Sequence, residues 1–472
     1  MMTKLRKIIL IPALLFVSVS GFFSCGVDRW PEYAHQTALD SWMLELMQQN
    51  YLWYQELPSY DDVNLFVAPD QFLSKIKSRQ DNYSYVDTLL DSPLPSYGFD
   101  YSLVRNPDID TAYNALVTYV IPGSPAAAVL KRGDWIVKVD TSYISRKYEE
   151  QLLQGTAPIK VTLGRYQQVP PTEPPVEGQE QEDVYKVVPV GDPVEIGAAV
   201  PLTDNPMHCK KIIPLNDGSE VGYLMYNSFT AGTPENPEQY NNELRAWSDE
   251  LAQKHINKVI LDLRYNKGGS LECVQLLSTL LVSSYYLNEE MAFVEYNDKC
   301  TDKNTTLTFN SELLNPGGKN LDLHTLIVLI SGETAGAPEM LMNSLNKKIQ
   351  NLIAIGSSTK GQNVATEGFI NQEFRWSVHP VVATVYNSEK ETYGGFQPTY
   401  AVSASNDYLN FKPFGDKDEA LLSVALGVLN KTYPPEGGDQ VKKQQTRMSI
   451  VKTVCSPSSR VFAGSKGLDI QK

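Results

Sequence analysis

The sequence predicts a layered α/β domain preceded by a small helical domain and a small β domain. Three patterns carry that prediction. From about residue 221 to residue 429, short apolar runs alternate with amphipathic stretches, as in a largely parallel sheet covered by helices. Between residues 95 and 165 single apolar residues alternate and turn signals crowd together, as in a β domain. Between residues 33 and 54 the apolar residues fall at helical spacings instead. A chain of 472 residues is long enough for two or three such cores, and 42% hydrophobic with 20% charged residues suits a globular protein.

Taken in order, residues 1–24 read as a signal peptide. Lys4, Arg6 and Lys7 precede an apolar or small-residue stretch over 8–23, short for a membrane span. Ser24-Cys25 at its end resembles a bacterial lipobox, with Cys25 becoming the lipidated N-terminus and the membrane anchor; Phe22 departs from the usual Leu or Val. The alternative is ordinary signal cleavage with Cys25 a plain thiol. A helical domain follows over 33–92, with Leu39, Trp42, Met43, Leu46, Met47 and Leu52 on the helical stripe and Tyr51, Trp53 and Tyr54 as core aromatics. In the β domain, 95–165, Pro122-Gly123-Ser124-Pro125 is a turn, residues 126–130 a short helix stopped near Gly133, and Trp135–Val139 a strand. Residues 167–190 are rich in Pro and Glu and read as a linker or loop. The α/β domain covers 191–430. Its expected strands are 221–229, 258–263, Thr325–Ile330, 352–355 and a β-rich segment at 374–386; its expected helices are 237–255, Leu271–Leu281 and 337–349. Residues 431–472 are polar and read as a loose tail, and no internal repeat is present.

The net charge is −14; losing the three basic residues of 1–24 would make it −17. Such a chain repels nucleic acid, which is not expected as a partner. The five histidines are scattered without an HExxH pattern, so neither a metal nor a cofactor is expected. Cys209, Cys273, Cys300 and Cys455 stand far apart; an exported protein could form one or two disulfides from them, and the sequence does not choose the pairing.

Residues 327–366 carry the chemistry. They read IVLISGETAGAPEMLMNSLNKKIQNLIAIGSSTKGQNVAT: two apolar runs, each ending in a turn, with a helix opening near Ala337. Two adjacent strand ends with turns are how an α/β sheet forms a crevice. This block resembles the active-site block of the tail-specific, or C-terminal processing, serine peptidases. That family has Ser-Ala-Ser-Glu at the first turn and Gly-Lys at the second, the first Ser being the nucleophile and the Lys its base. Here the turns read Gly336-Ala337-Pro338-Glu339 and Gly361-Gln362-Asn363, so Gly336 stands at the nucleophile position and Gln362 at the base position. LDLRYNKGGS resembles the family's oxyanion-side loop, which implies backbone donors at Gly268 and Gly269, joined by Ala337 at the helix mouth. GSPA, RGD and the following apolar strand resemble a PDZ domain, which makes Tyr97-Gly98-Phe99 its carboxylate-binding loop. YLWYQELP resembles the helical N-terminal domain of Bacteroidetes-type members, and GGFQPTYAVSA their closing segment, where the family's Asp is Thr399 here. The resemblance spans about residues 33–429 and implies a crotonase-like ββα core.

Hydrolysis needs a nucleophile, a base and oxyanion donors. Gly336 has no side chain, and Gln362 does not titrate. Losing either member of such a pair removes most of the rate. Ser331 and Thr334 near the first turn and Lys360 near the second are the substitutes on offer. A two-residue displacement moves a group several ångströms, beyond catalytic tolerance. The expected protein is therefore an exported lipoprotein, periplasmic or outer-membrane, that binds polypeptide C-termini or extended peptides without cutting them. The alternatives are an active serine peptidase with Thr334 or Ser331 paired to Lys360, and an assembly subunit of an envelope complex.

Overall fold

A computed structural model describes residues 30–90, 94–170, 184–402, 411–433, 450–454 and 467–470. Residues 1–24, Cys25 and Cys455 lie outside the described residues. Helices α1 (Trp30–Asn50) and α2 (Pro69–Ile76) come first. Pro69 suits the first turn of α2, where its missing N–H would have no helical partner. Met43, Leu44 and Met47 of α1 meet Tyr51 and Phe72, Leu73 and Ile76 of α2, and the same cluster takes in Val364, Val378 and Val381 of the α/β domain. The helical pair is thus seated on the larger domain. Strand β1 (Tyr85–Thr88) fixes it further by pairing with Trp376–His379.

The β domain holds β2 (Phe99–Arg105), β3 (Tyr113–Val120), β4 (Trp135–Val139), helix α3 (Glu149–Leu153), β5 (Ile159–Val169), β6 (Val184–Pro189) and β7 (Val194–Ile196). The short helix expected at 126–130 is a single 3₁₀ turn, Ala126–Ala128. The linker expected at 167–190 is corrected. β5 and β6 form a hairpin paired from Gly164↔Pro189 to Val169↔Val184, and only its tip lies outside the described residues. Tyr166 stacks between Trp135 and Tyr185, so the arms cover apolar surface and extend this domain to Ile196.

The α/β domain continues with β8 (Met207–Pro214), β9 (Glu220–Tyr226), α4 (Gln239–Gln253), β10 (Lys258–Asp262), β11 (Gly268–Ser270), α5 (Leu271–Leu281), β12 (Glu290–Tyr296), β13 (Thr305–Thr308), β14 (Thr325–Ile330), α6 (Ala337–Leu345) and β15 (Asn351–Gly356). It closes with β16 (Val364–Thr366), β17 (Phe369–Asn371), β18 (Trp376–His379), β19 (Val381–Asn387), β20 (Tyr400–Ala401) and α7 (Ala420–Leu429). One sheet runs β8-β9-β10-β14-β15-β20 and is parallel except at β8·β9. β14 is buried from Leu326 to Ile330, because both faces of a parallel sheet are covered. One face joins α4, α5 and α6 in the main core; the other packs on Leu421, Leu422 and Ala425 of α7 and on Tyr119 of the β domain.

The loose tail expected at 431–472 is also corrected, since it contributes two strands. β21 (Ile450–Val454) extends the β domain's sheet beside β2. β22 (Gly467–Asp469) lies inside a second sheet of the α/β domain, ordered β11-β22-β16-β19-β12-β13. Cys209, Cys273 and Cys300 are free thiols, so no disulfide joins the described cysteines.

Candidate functional site

The two turns of the predicted crevice meet over the start of α6. β14 ends at Ile330, and Gly336 caps α6 with φ 68° and ψ −104°, a backbone state that favours glycine. Glu339, in the first turn of α6, is completely buried. Its carboxylate accepts the Gly336 N–H at 2.9 Å, the Gln362 N–H at 2.8 Å, the Gly361 N–H at 2.6 Å and the Thr359 hydroxyl. Those four donors fill the acceptor positions of a carboxylate, and its charge suits a helix N-terminus. Glu339 therefore clamps the first turn to the second. The sequence reading gave it no role, although Glu three residues after a helix cap is the spacing that signals such a bond.

The opposite wall is the loop between β10 and α5. Asn266 braces it: its amide donates to the Tyr226 carbonyl at 3.0 Å, its side-chain oxygen accepts the Gly268 N–H at 3.0 Å, and its backbone carbonyl accepts the Ala335 N–H at 3.2 Å. Gly268 was expected to present a free donor; its N–H is instead held by Asn266. Behind the loop, Arg264 donates to both oxygens of Asp262, at 2.9 and 2.8 Å, and to both oxygens of Glu419. Arg132 of the β domain stands 3.6 Å from Glu419. Burial pushes the Glu419 carboxyl up, but Arg264 and Arg132 outweigh it and hold the group at about 2. This buried cluster ties the loop to α7 and to the β domain; LDLRYNKGGS and RGD contain Asp262, Arg264 and Arg132, but nothing in those motifs relates them to Glu419.

The space between the walls is filled by β22. It runs parallel to both neighbours, with Gly268↔Gly467 and Gly269↔Leu468 on one side and Ala365↔Leu468 and Thr366↔Asp469 on the other. The Gly467 N–H donates to the Lys267 carbonyl at 2.7 Å and the Ile470 N–H to the Thr366 carbonyl at 2.8 Å. Leu468 is fully buried in the main core that also holds Ala337 and Met340. A Cβ on Gly336 would stand 2.5 Å from the Leu468 nitrogen; one on Gly467 would stand 2.3 Å from the Gln362 side-chain nitrogen; one on Gly268 would stand 1.7 Å from the Gly467 oxygen. The Gly467–Leu468 peptide thus lies where a side chain at position 336 would project.

Comparison with known proteins identifies this architecture. The profile of peptidase family S41 matches residues 220–402, and that of the peptidase S41 N-terminal domain matches residues 38–85. A solved structure from Bacteroides fragilis NCTC 9343, assigned to the S41 proteases, is 41% identical. The match covers 83% of this chain and 97% of that one, with a TM-score of 0.76. The chain belongs to peptidase family S41. A photosystem II D1 C-terminal processing protease matches over 82% of this chain and 97% of its own at 16% identity and a TM-score of 0.44, too remote to inform function. No curated protein matches the chain.

Within the S41 fold, the expected site residues separate into two groups. Gly336, Gln362, Gly268, Gly269 and Ala337 converge on the crevice around β22. Of the substitutes, Thr334 and Lys360 meet across the turns only through backbone, the Lys360 N–H donating to the Thr334 carbonyl at 3.0 Å. The buried Thr334 hydroxyl donates to the Leu263 carbonyl at 2.9 Å and accepts the Ser331 N–H at 3.0 Å; the Ser331 hydroxyl donates to the Arg264 carbonyl; Lys360 is exposed. The loop Tyr97-Gly98-Phe99 is buried. The Gly98 N–H donates to the Ser96 hydroxyl at 3.0 Å, and a Cβ there would stand 2.2 Å from Ser124 Cβ. Gly98 is therefore a packing glycine, and a valine there would disturb the domain itself. The adjoining edge of β2 is paired with β21, which runs antiparallel to it toward that loop.

Proposed function

We propose that this S41-family protein captures extended polypeptide segments or protein C-termini at the bacterial cell envelope without hydrolysing them. One observation supports the reading. The crevice lacks a nucleophile at Gly336 and a titratable base at Gln362, yet the strand slot between β11 and β16 holds the chain's own extended Gly467–Asp469 by pairing on both sides, the mode in which an added peptide strand would bind. Glu339 and Asn266 keep that slot rigid, and preorganisation favours binding. A relocated dyad has little support, because the Ser331 and Thr334 hydroxyls are spent on backbone carbonyls. The envelope location rests on the signal-like start and on Cys25 as lipid anchor; Cys25→Ala should release the protein from the membrane fraction. The β domain, read as PDZ-like, would supply the second contact for the captured chain.

The deciding experiment pairs two assays on the full chain. Incubation with an unfolded reporter protein should yield no fragments, while immobilised peptides should retain the protein, free C-termini better than amidated ones. Cleavage that Thr334→Ala or Lys360→Ala abolishes would make the protein an active peptidase and overturn the reading.

A further inference from the structure

We propose that Gly467–Ile470 is a resident ligand of the crevice, docked in cis and exchangeable with other extended chains. This rests on the peptide-binding reading above and adds a regulator and a sequence preference to it. β22 is continuous in sequence with neither neighbour, so it enters the sheet as an added strand does. Its fit depends on paired absences. Gly336 leaves room for the Leu468 nitrogen, Gly268 for the Gly467 oxygen, and Gly467 itself for the Gln362 amide. The position at which the family's nucleophile is expected is thus shaped to receive this segment.

The anchorage is small. Leu468 supplies one fully buried apolar side chain, Asp469 one buried carboxylate, and Thr366 donates its hydroxyl to the Leu468 carbonyl at 3.2 Å. One buried leucine and a short backbone ladder on each side, set against the ordering of several residues, leave the docked state a modest margin. The same covalent segment also supplies β21 to the β2 edge. The slot and the β2 edge, where the PDZ resemblance would place a peptide, are therefore both filled from within, at the high effective concentration of a tethered ligand. The class of incoming chain follows from the register: extended, with glycine facing Gln362, a bulky apolar residue next and an acidic residue third.

The test uses a fluorescein-labelled peptide spanning residues 464–472 and the full-length protein. Gly467→Val should expel the segment, because φ 97° at Gly467 is a backbone state a β-branched residue does not adopt and its Cβ would also crowd the buried Gln362 amide, and that variant should bind the probe about tenfold more tightly than the unaltered protein, since a docked competitor lowers apparent affinity by the undocked fraction. A probe with valine at its glycine should bind neither. Equal affinity for both proteins overturns the proposal. Should the variant fail to fold, hydrogen exchange on the unaltered protein decides. The Gly467 and Ile470 amides should exchange through a local opening at least about tenfold faster than the Val328 amide; exchange only with global unfolding makes β22 a permanent strand and refutes exchangeability. Peptide retention by an unaltered protein whose β22 never opens would leave the proposed function standing. Probe binding by Gly467→Val without retention of unrelated peptides would do the reverse.

Discussion

The two walls of the crevice are built from similar parts, close-packed glycines backed by buried acids, but one glycine of each, Gly269 and Gly336, answers to a different neighbour. On the loop wall a Cβ at Gly269 would strike the Phe229 backbone oxygen at 2.3 Å, part of the scaffold itself. On the helix wall a Cβ at Gly336 would strike the Leu468 nitrogen, part of β22. Gly269 serves the fold alone; Gly336 serves the cap of α6, at φ 68°, and also whatever lies in the slot. A glycine where the family resemblance expects a nucleophile can therefore be an accommodation, and the atom in its way identifies what it accommodates.

The largest effect should come from the acids behind the walls. Glu419→Ala leaves Arg264 and Arg132 buried beside Asp262 with one acid between them, and should cost about 3–5 kcal/mol in urea unfolding. Because Arg264 and Arg132 lower the Glu419 carboxyl to about 2, its contribution is full above its ordinary value of 4.5 and fades as pH falls toward 2; the variant should lose that acid dependence. Glu339→Ala strands the N–H groups of Gly336, Gly361 and Gln362 and should cost about 3 kcal/mol, again read by urea.

Next comes the contrast between the glycines. Gly269→Ala and Gly336→Ala should each lower stability by about 2–3 kcal/mol through backbone strain, but only Gly336→Ala should in addition expose the Gly467 amide to hydrogen exchange. Equal exchange protection in both variants would erase the distinction between the walls. Activity sharpens it further. Gly336→Ser with Gln362→Lys restores both side chains while the new Cβ at 336 itself loosens β22, so the pair should bring weak cleavage of an unfolded reporter and adding Gly467→Val should raise it; each single change should do nothing.

The smallest effect lies away from both walls. Burial on α1 raises the Asp40 carboxyl from 3.8 to about 7, so folding favours its protonated form. The stability it permits is greatest below about pH 4 and declines as pH rises through 7. Asp40→Asn should flatten that slope and raise the Tm at pH 8 by about a few degrees, with no change in Gly467 exchange.

Much of this was legible in advance. β10, β14 and α5 lie where apolar runs and helical spacings put them, since their burial is written in their own side chains. The crevice followed from two turns after two such runs, and the positions Gly336 and Gln362 within it from the resemblance to the tail-specific peptidases. What escaped was non-local. β22 is three residues long and carries no period; it is a strand only because β11 and β16 are. The hairpin arms of β5 and β6 were hidden by the proline-rich tip between them. The ion cluster joins Arg132, Arg264 and Glu419 from three separate elements, and no spacing relates them.

Because β22 is an interior strand contributed from far along the chain, its sheet is completed out of order. During synthesis β11 and β16 emerge first, and about a hundred more residues must follow before Gly467 appears. At ordinary translation rates that takes roughly 5–20 s, against microseconds for an elementary strand pairing. A newborn molecule thus presents two open backbone edges flanking a greasy notch for seconds before the strand that fills them exists, and any extended neighbour meets the slot ahead of its own tail.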